Sequence, residues 1–260
     1  MITNQPVNLI NRRSYPTCYS ELSSLELSYA FLKRITDITV ALLLLVCSLP
    51  LMIIVAVFIK ISSPGAVIYK QERCTKTGKV FWLYKFRSMP DNVENGKRPE
   101  WGKTDDPRCT KLGRLLRMLL IDELPQLINV LKGDMSLVGP RPERPYFIKR
   151  FRTSIKDYDL RHIVKAGLTG WAQVNGYRGN TSIVKRVEHD LFYIENRSVL
   201  FDLKIILMTP FSLRLARSKS KKKTVAISKT NIKPTYNLAL NPHLCSLQHC
   251  TCLKNSFTEK

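Results

Sequence analysis

Two adjacent carboxylates, Asp122 and Glu123, stand in the run Ile121-Asp122-Glu123-Leu124-Pro125-Gln126, with cations on both sides of them in the chain. Acids in such a place have two readings. They cap the backbone N–H groups of a helix start and complement its dipole, or they take part in chemistry on a phosphate. The second reading needs help, because two carboxylates repel an anion unless arginines or a divalent cation intervene. Arg117 just upstream and Arg141 in a Gly-Pro-Arg-Pro loop are candidate clamps, and Mg²⁺ is the metal suited to oxygen donors. Prolines on both sides of Arg141 would hold it ready with little entropy left to lose on binding. A third source of positive charge is the run Val80-Phe81-Trp82-Leu83-Tyr84-Lys85-Phe86-Arg87, whose alternation puts Phe81, Leu83, Lys85 and Arg87 on one face. That face either aims two cations at an anion or is a solvated strand end.

These residues need elements to position them. Residues 111 to 120 carry leucines at 112, 115, 116, 119 and 120 with Arg114 and Arg117 between them, the period of an amphipathic helix. Pro125 is tolerated only in a first turn, so a second helix is expected to start near Asp122. Val67-Ile68-Tyr69 and the run from Val80 read as a β-hairpin separated by a polar stretch that ends Thr77-Gly78-Lys79. The stretch from Gly167 to Gly179, with Trp171, Gln173, Asn175, Tyr177 and Arg178, suits a sugar or a base, or equally a turn packed on the core. His162 and His189 stand singly and read as packing or surface residues. His243, Cys245, His249, Cys250 and Cys252 match no paired zinc spacing.

Residues 38 to 59 form twenty-two consecutive positions without a charge, about 33 Å of helix, which is enough to cross a bilayer. Pro50 in the middle removes a helical hydrogen bond, and Ser48 could satisfy a freed carbonyl. Basic residues flank both ends, Lys33 and Arg34 before and Lys60, Lys70 and Arg73 after, whereas a spanning helix favours one side. A re-entrant helix broken near Pro50 satisfies both observations; a kinked spanning helix and a buried core helix are the other readings.

The composition bounds the rest. The 260 residues carry 42 Lys and Arg against 20 Asp and Glu, a net charge of +22, and 44% are apolar. A wholly disordered chain is excluded, and an anionic partner such as phosphorylated substrate, nucleic acid or anionic membrane is implied. Residues 211 to 260 alone hold ten Lys and Arg against one acid. Seven scattered cysteines argue against a disulfide framework and for a reducing compartment.

Taken in order, several motifs make the chain resemble the bacterial sugar transferase family, the polyprenyl-phosphate hexose-1-phosphate transferases or monotopic phosphoglycosyl transferases. They are Lys33-Arg34 with Asp37, Ser63-Pro64-Gly65, Lys85-Phe86-Arg87-Ser88-Met89, Asp105-Asp106-Pro107-Arg108, residues 122 to 126, 129 to 142 and 167 to 179. The resemblance runs from about residue 31 to 209. It implies transfer of a hexose 1-phosphate from a UDP-sugar to undecaprenyl phosphate, at the cytoplasmic face of the bacterial inner membrane, with Mg²⁺. The product would begin exopolysaccharide, capsule or O-antigen synthesis, with downstream glycosyltransferases as possible partners. It assigns the positive charge to phosphorylated substrates and membrane lipids and not to nucleic acid. It makes Asp122 the nucleophile and Glu123 a holder of the metal, with Lys85, Arg87, Arg117 and Arg141 for the substrate phosphates or nucleotide and Pro50 the break in the membrane helix. UDP-glucose is the expected donor and UDP-galactose the next, and Gln173, Asn175 or Arg178 could read a sugar hydroxyl.

The chain departs from the family pattern at Leu49, where a serine usually precedes the central proline, at Thr75, and at Leu119-Leu120. These departures leave a catalytically impaired basic membrane adaptor as the alternative. The expected architecture is α+β and helix-rich, a membrane-associated catalytic domain. A lead-in (1–30) precedes the membrane helix (31–62), the catalytic domain (63–210) and a basic tail (211–260). That tail reads either as a frame-shift or read-through product or as a polybasic contact with the membrane surface.

Overall fold

The computed structural model describes residues 24–90, 101 and 106–222, with side chains described from 27 to 212. Asp105, most of the lead-in and the His and Cys residues near the C-terminus lie outside these residues, as does most of the basic tail.

The described chain is helix-rich with two small sheets. Helix α1 (Ser24–Ser62) is followed by the hairpin β1 (Ile68–Cys74) and β2 (Val80–Phe86), then α2 (Lys111–Leu119), α3 (Gln126–Lys132), β3 (Ser136–Val138), α4 (Pro145–Ser154), β4 (Gly167–Thr169), α5 (Trp171–Val174), α6 (Ile183–Glu195) and α7 (Val199–Lys222). The hairpin is antiparallel, with Ile68 opposite Phe86 and Cys74 opposite Val80. The second sheet, which sequence reading did not foresee, pairs β3 and β4 in parallel, Ser136 against Gly167. The two strands approach so closely that a Cβ on Gly167 would lie 2.1 Å from the Gly139 nitrogen, so only glycine fits there.

One core joins Leu83, Leu127, Val130, Met135, Ile148, Tyr158, Tyr193 and Ile205; a smaller cluster joins Val55 and Ile59 of α1 to Phe86 and Leu116. The alternation read from β2 holds for buried Phe81 and Leu83. Phe86, placed by parity on the other face, is also buried, because α1 and α2 cover that end of the strand.

α1 is apolar enough to cross a membrane, and little of its hydrophobic run is buried. The helix continues through Pro50 instead of stopping there. Ser48 donates to the Leu45 carbonyl at 3.3 Å, one residue before Val46, whose carbonyl the proline leaves without its helical donor. Buried or half-buried positions along the helix, Asp37, Ala41, Leu45, Ser48, Met52, Val55 and Ile59, fall on one stripe facing the folded body.

Both ends of α1 are fastened to that body by polar groups. Arg34 donates to the Val130 and Leu131 carbonyls at the end of α3, both at 2.8 Å, joining the Gly133 N–H on Val130. Buried Asp37 accepts from the Leu137 backbone N–H and the Ser136 hydroxyl, both at 3.0 Å. Lys33 reaches Asp202 at 2.7 Å and the Val138 carbonyl at 3.2 Å. At the other end Arg87 donates to the Pro64 and Ser63 carbonyls at 2.6 and 2.7 Å, and to Ile59 at 3.5 Å.

Candidate active site

Helix α2 begins at Thr110, whose hydroxyl accepts from the Gly113 N–H at 2.9 Å. Gly113 presses on the chain leaving β2, where a Cβ would sit 2.0 Å from the Ser88 carbonyl oxygen. The helix ends at Leu120, held in the left-handed region at φ 60°. That bend replaces the expected helix start at Asp122: the acidic pair lies in a short 3₁₀ turn, Ile121–Glu123, and α3 begins only at Gln126. Neither carboxylate caps a backbone N–H of α3, so the capping reading fails. Both acids point inward and are buried.

Glu123 is the hub of the site. Its Oε1 receives Arg141 at 2.6 Å and Lys85 at 3.4 Å, and its Oε2 receives Arg178 at 2.9 Å and Arg141 again at 3.3 Å. These four bonds come from β2, from the loop after β3 and from the loop after α5. Despite burial, Arg141, Lys85 and Arg178 hold the Glu123 carboxyl well below the usual range. Asp122 beside it goes the other way. Burial, with the Glu123 charge adding to it, pushes its carboxyl up against the pull of Lys85, Arg117 and Arg141. Its buried Oδ1 has no hydrogen-bond partner. Burial pushes Lys85 and Arg178 down, and the Arg141 charge adds to this in both. Two carboxylates thus face Lys85, Arg117, Arg141 and Arg178, leaving the site positive by two charges, which is what an anionic substrate needs.

The loop bearing Arg141 is fixed from behind. The Gly139 N–H donates to Thr169 and the Gly167 N–H to Pro140, both at 2.9 Å. Arg161 donates to the Arg141 carbonyl at 3.0 Å and Arg73 to the Pro142 carbonyl at 3.1 Å. Arg161 in turn is paired with Asp190 at 2.6 Å, and Arg186 with Glu143 at 2.6 Å, all four being buried. Thr75 fits its place: it donates to the Asp134 carbonyl at 2.9 Å and accepts from the Ala166 N–H at 3.1 Å, pinning the hairpin to the segment before β4.

Of the residues read from the sequence, Asp122, Glu123, Lys85 and Arg141 converge. Arg117 acts on Asp122 through its charge, while its guanidinium donates to Cys109 Sγ at 2.9 Å. Arg87 is corrected. It lies one residue beyond β2 and turns to the carbonyls at the end of α1, so strand parity does not carry it into the site. The Gln173 and Asn175 amides donate to the Leu168 and Trp171 carbonyls at 3.0 and 2.8 Å, and the buried Gln173 Oε1 has no hydrogen-bond partner. Arg178, considered from the sequence only for a hydroxyl, is the third arm on Glu123. The signal for it was its place in a glycine-punctuated loop, between Gly176 and Gly179, both with positive φ. His162 is half-buried against Tyr158 and beside Asp159, in a packing position.

Glu123 offers two hard oxygens and Asp122 one free buried oxygen, the donor type that Mg²⁺ takes when substrate phosphates and water complete its shell. Both Glu123 oxygens already receive cationic arms. Glu123, with Asp122 beside it, would hold such an ion, which would add positive charge next to Arg141 and Arg178.

The sequence profile described as bacterial sugar transferase matches residues 28–215. The chain is 48% identical over 184 residues to the UDP-glucose:undecaprenyl-phosphate glucose-1-phosphate transferase of Escherichia coli, covering 69% of this chain and 39% of that protein. It is 45% identical over 183 residues to the UDP-N-acetylgalactosamine-undecaprenyl-phosphate N-acetylgalactosaminephosphotransferase of Aeromonas hydrophila, covering 70% of this chain and 43% of that protein. An uncharacterized sugar transferase of Bacillus subtilis is 47% identical over 182 residues, which cover 68% of this chain and 85% of that one. The chain thus spans about two fifths of the first two relatives.

Proposed function

The chain belongs to the bacterial sugar transferase family, and on that premise we propose that it transfers a hexose 1-phosphate from a UDP-sugar to undecaprenyl phosphate. The observation that carries this reading is Asp122: a buried carboxylate with a partnerless oxygen, beside a carboxylate ringed by three cations. Asp122 Oδ1 attacks the β-phosphorus of the donor; an O–P bond forms, the bond to the leaving phosphate breaks, and UMP departs. An oxygen of undecaprenyl phosphate then attacks the same phosphorus and the aspartyl bond breaks, giving the lipid diphosphosugar. Covalent catalysis suits the reaction because two large anionic substrates never have to meet at one time.

Arg141, Arg178 and Lys85 bind the diphosphate and take up charge as it shifts to the leaving group, and the fixed loop keeps Arg141 in place while it does so. Glu123 spaces these cations when no substrate is present. Mg²⁺, held at Glu123, would supply further neutralisation of phosphate charge.

We place the site at the cytoplasmic face of the inner membrane and read α1 as re-entrant. What supports this is that one folded body holds both ends of the uncharged run, Lys33, Arg34 and Asp37 at one end and Ser63-Pro64 through Arg87 at the other. A helix spanning about 30 Å of hydrocarbon would put those ends on opposite sides.

The donor sugar is proposed as glucose, with galactose second; relatives named for glucose and for N-acetylgalactosamine transfer are similarly close. The test is direct. Without lipid acceptor, radiolabelled UDP-glucose should leave a phosphosugar adduct on the protein and release UMP, and Asp122→Asn should abolish both. UMP release only with lipid and no adduct would establish a sequential mechanism. No release from any donor would favour the adaptor. Faster turnover of UDP-N-acetylglucosamine than of UDP-glucose would overturn the sugar assignment alone.

A further inference from the structure

Beside Lys85 the hairpin carries a row of polar side chains that the reaction above leaves without a task. Cross-strand pairing sets Tyr69 against Lys85, Gln71 against Leu83 and Arg73 against Phe81. The three side chains of β1 therefore leave the same face of the hairpin as Lys85, the one that turns to Glu123. They form a single chain of hydrogen bonds. Arg73 donates from Nη1 to the Pro142 carbonyl at 3.1 Å and from Nη2 to Gln71 Oε1 at 2.6 Å, and Gln71 Nε2 donates to the Tyr69 hydroxyl at 3.1 Å.

The first member sets the direction of every bond that follows. A guanidinium can only donate, so Gln71 must turn its oxygen to Arg73 and its amide hydrogens away. One of these goes to Tyr69, whose oxygen is thereby an acceptor and whose own O–H is left to donate outward. Neither that O–H nor the second Gln71 N–H has an acceptor among the described residues. A chain that starts from a cation polarises each bond along it. Two strengthened donors without acceptors, beside a cationic site, fit the oxygens of an anion.

Their place in the fold says which anion. Val67 and Ile68 pack with Val55 and Ile59 at the end of α1, and the Arg87 N–H joins the Val67 carbonyl at 2.9 Å while its guanidinium holds Ser63 and Pro64. β1 thus sets out from the end of the membrane helix and runs to the loop of Arg141. Tyr69, 45% exposed, comes first, half-buried Gln71 next and Arg73 last. Burial lowers Arg73, and the charges of Glu143, Arg141 and Glu123 act on it as well, so the inner end of the row lies in the field of the site. A phosphate brought in from the bilayer meets Tyr69 and Gln71 before Lys85, whereas the donor diphosphate is taken by Arg141, Arg178 and Lys85.

We propose that Gln71 and Tyr69 receive the phosphate of the lipid acceptor, the Gln71 amide and the Tyr69 hydroxyl each donating to one of its oxygens while another attacks the transferred phosphorus. The inference rests on the two-step transfer proposed above and adds to it two residues that serve only the second step.

The two steps are measured apart on the full chain in nanodiscs. Radiolabelled UDP-glucose forms the adduct without acceptor; undecaprenyl phosphate is then added, and loss of protein-bound label is followed by rapid quench. Gln71→Leu and Tyr69→Phe should form adduct at the parent rate and discharge it to lipid about ten-fold or more slowly, as expected on removing a hydrogen bond to a charged group. Slowed adduct formation with unchanged discharge would assign the pair to the donor and overturn the proposal, as would parent rates in both steps. A parent chain that forms no adduct would refute the two-step reading alone. Steady-state turnover then decides: a KM for undecaprenyl phosphate raised about ten-fold in both variants, with that for UDP-glucose unchanged, upholds the lipid contact, and an unchanged KM for the lipid overturns it.

Discussion

Two groups of buried acids and bases lie side by side in this molecule, and they differ in how their charges are matched. In one, Glu143 and Asp190 stand against Arg186 and Arg161 at 2.6 Å, with side-chain exposures of 2–6%, and Arg73 is a third, looser base at 3.6 Å from Glu143. In the other, Glu123 alone engages Lys85, Arg141 and Arg178, whose side chains remain 15–21% exposed. The matched group closes on itself and holds the loop of Arg141 from behind. The unmatched group keeps positive charge in reserve and partly open to solvent. Imbalance, and not burial or ion pairing as such, separates the place where an anion acts from the scaffold behind it.

Removing one carboxylate from each group gives the widest contrast. Glu143→Gln takes from buried Arg186 its ion-pair partner and withdraws the carboxylate from Arg73 as well, at a cost of about 3–5 kcal/mol. Thermal unfolding should show the loss, and UDP should stabilise this variant only as much as it stabilises the parent chain. Glu123→Gln also leaves cations unbalanced, but at a site open to an anion. There one fixed UDP concentration should raise the unfolding temperature further than it does in the parent chain, because the freed cations bind the anion more tightly, and a ligand at about a hundred times its Kd contributes roughly 2.7 kcal/mol. Equal UDP-induced shifts in both variants would erase the distinction.

A smaller effect is expected when an arm of the open group is cut. Arg178→Gln removes one charged hydrogen bond of about 1.5–3 kcal/mol. It should lower kcat/KM for the UDP-sugar by about ten- to a hundred-fold, with the unfolding temperature little changed. A drop in stability as large as that of Glu143→Gln, with activity per folded molecule intact, would assign Arg178 to the scaffold.

The smallest effect is one of pH. Asp122 must be ionised to attack, and its carboxyl is raised, so the acid limb of kcat/KM should lie above the ordinary aspartate value of about 3.9. Glu123 and Glu143 are depressed. Their stabilisation is fully present above the unfolded value of about 4.3 and is lost only as pH falls through the lower folded values. On acidification, activity should therefore fail while the near-ultraviolet circular dichroism of the fold persists. Coincident curves would count against Asp122 as the nucleophile.

Much of the open group was legible in the sequence. Adjacent carboxylates, a proline-stiffened arginine and an alternating strand each have a local signature, and Asp122, Glu123, Arg141 and Lys85 do meet. The amphipathic pattern of α2 and the hairpin were equally local. What stayed hidden depends on chain direction or distance. Arg87 shares its parity with Lys85, yet one residue beyond the strand it is free to turn toward the end of α1. The left-handed Leu120 gave no warning, being neither glycine nor asparagine, and it moved the acidic pair out of the expected helix start. The matched group joins residues 29 and 43 positions apart, pairings that no short motif encodes.

The polar ties at the head of α1 also set an order of events. Synthesis proceeds from the N-terminus, so Arg34 and Asp37 are already in place when the end of α3 and the start of β3 are made about a hundred residues later. The Val130 and Leu131 carbonyls and the Leu137 N–H then find their partners on a helix already committed to the lipid. The nascent catalytic body is completed against that helix as a template. Trimming away residues 24–62 would take the Asp37 acceptor from the buried Leu137 N–H and the Arg34 donor from the Leu131 carbonyl, so a soluble form of this domain calls for redesign of the seam and not for a shorter chain.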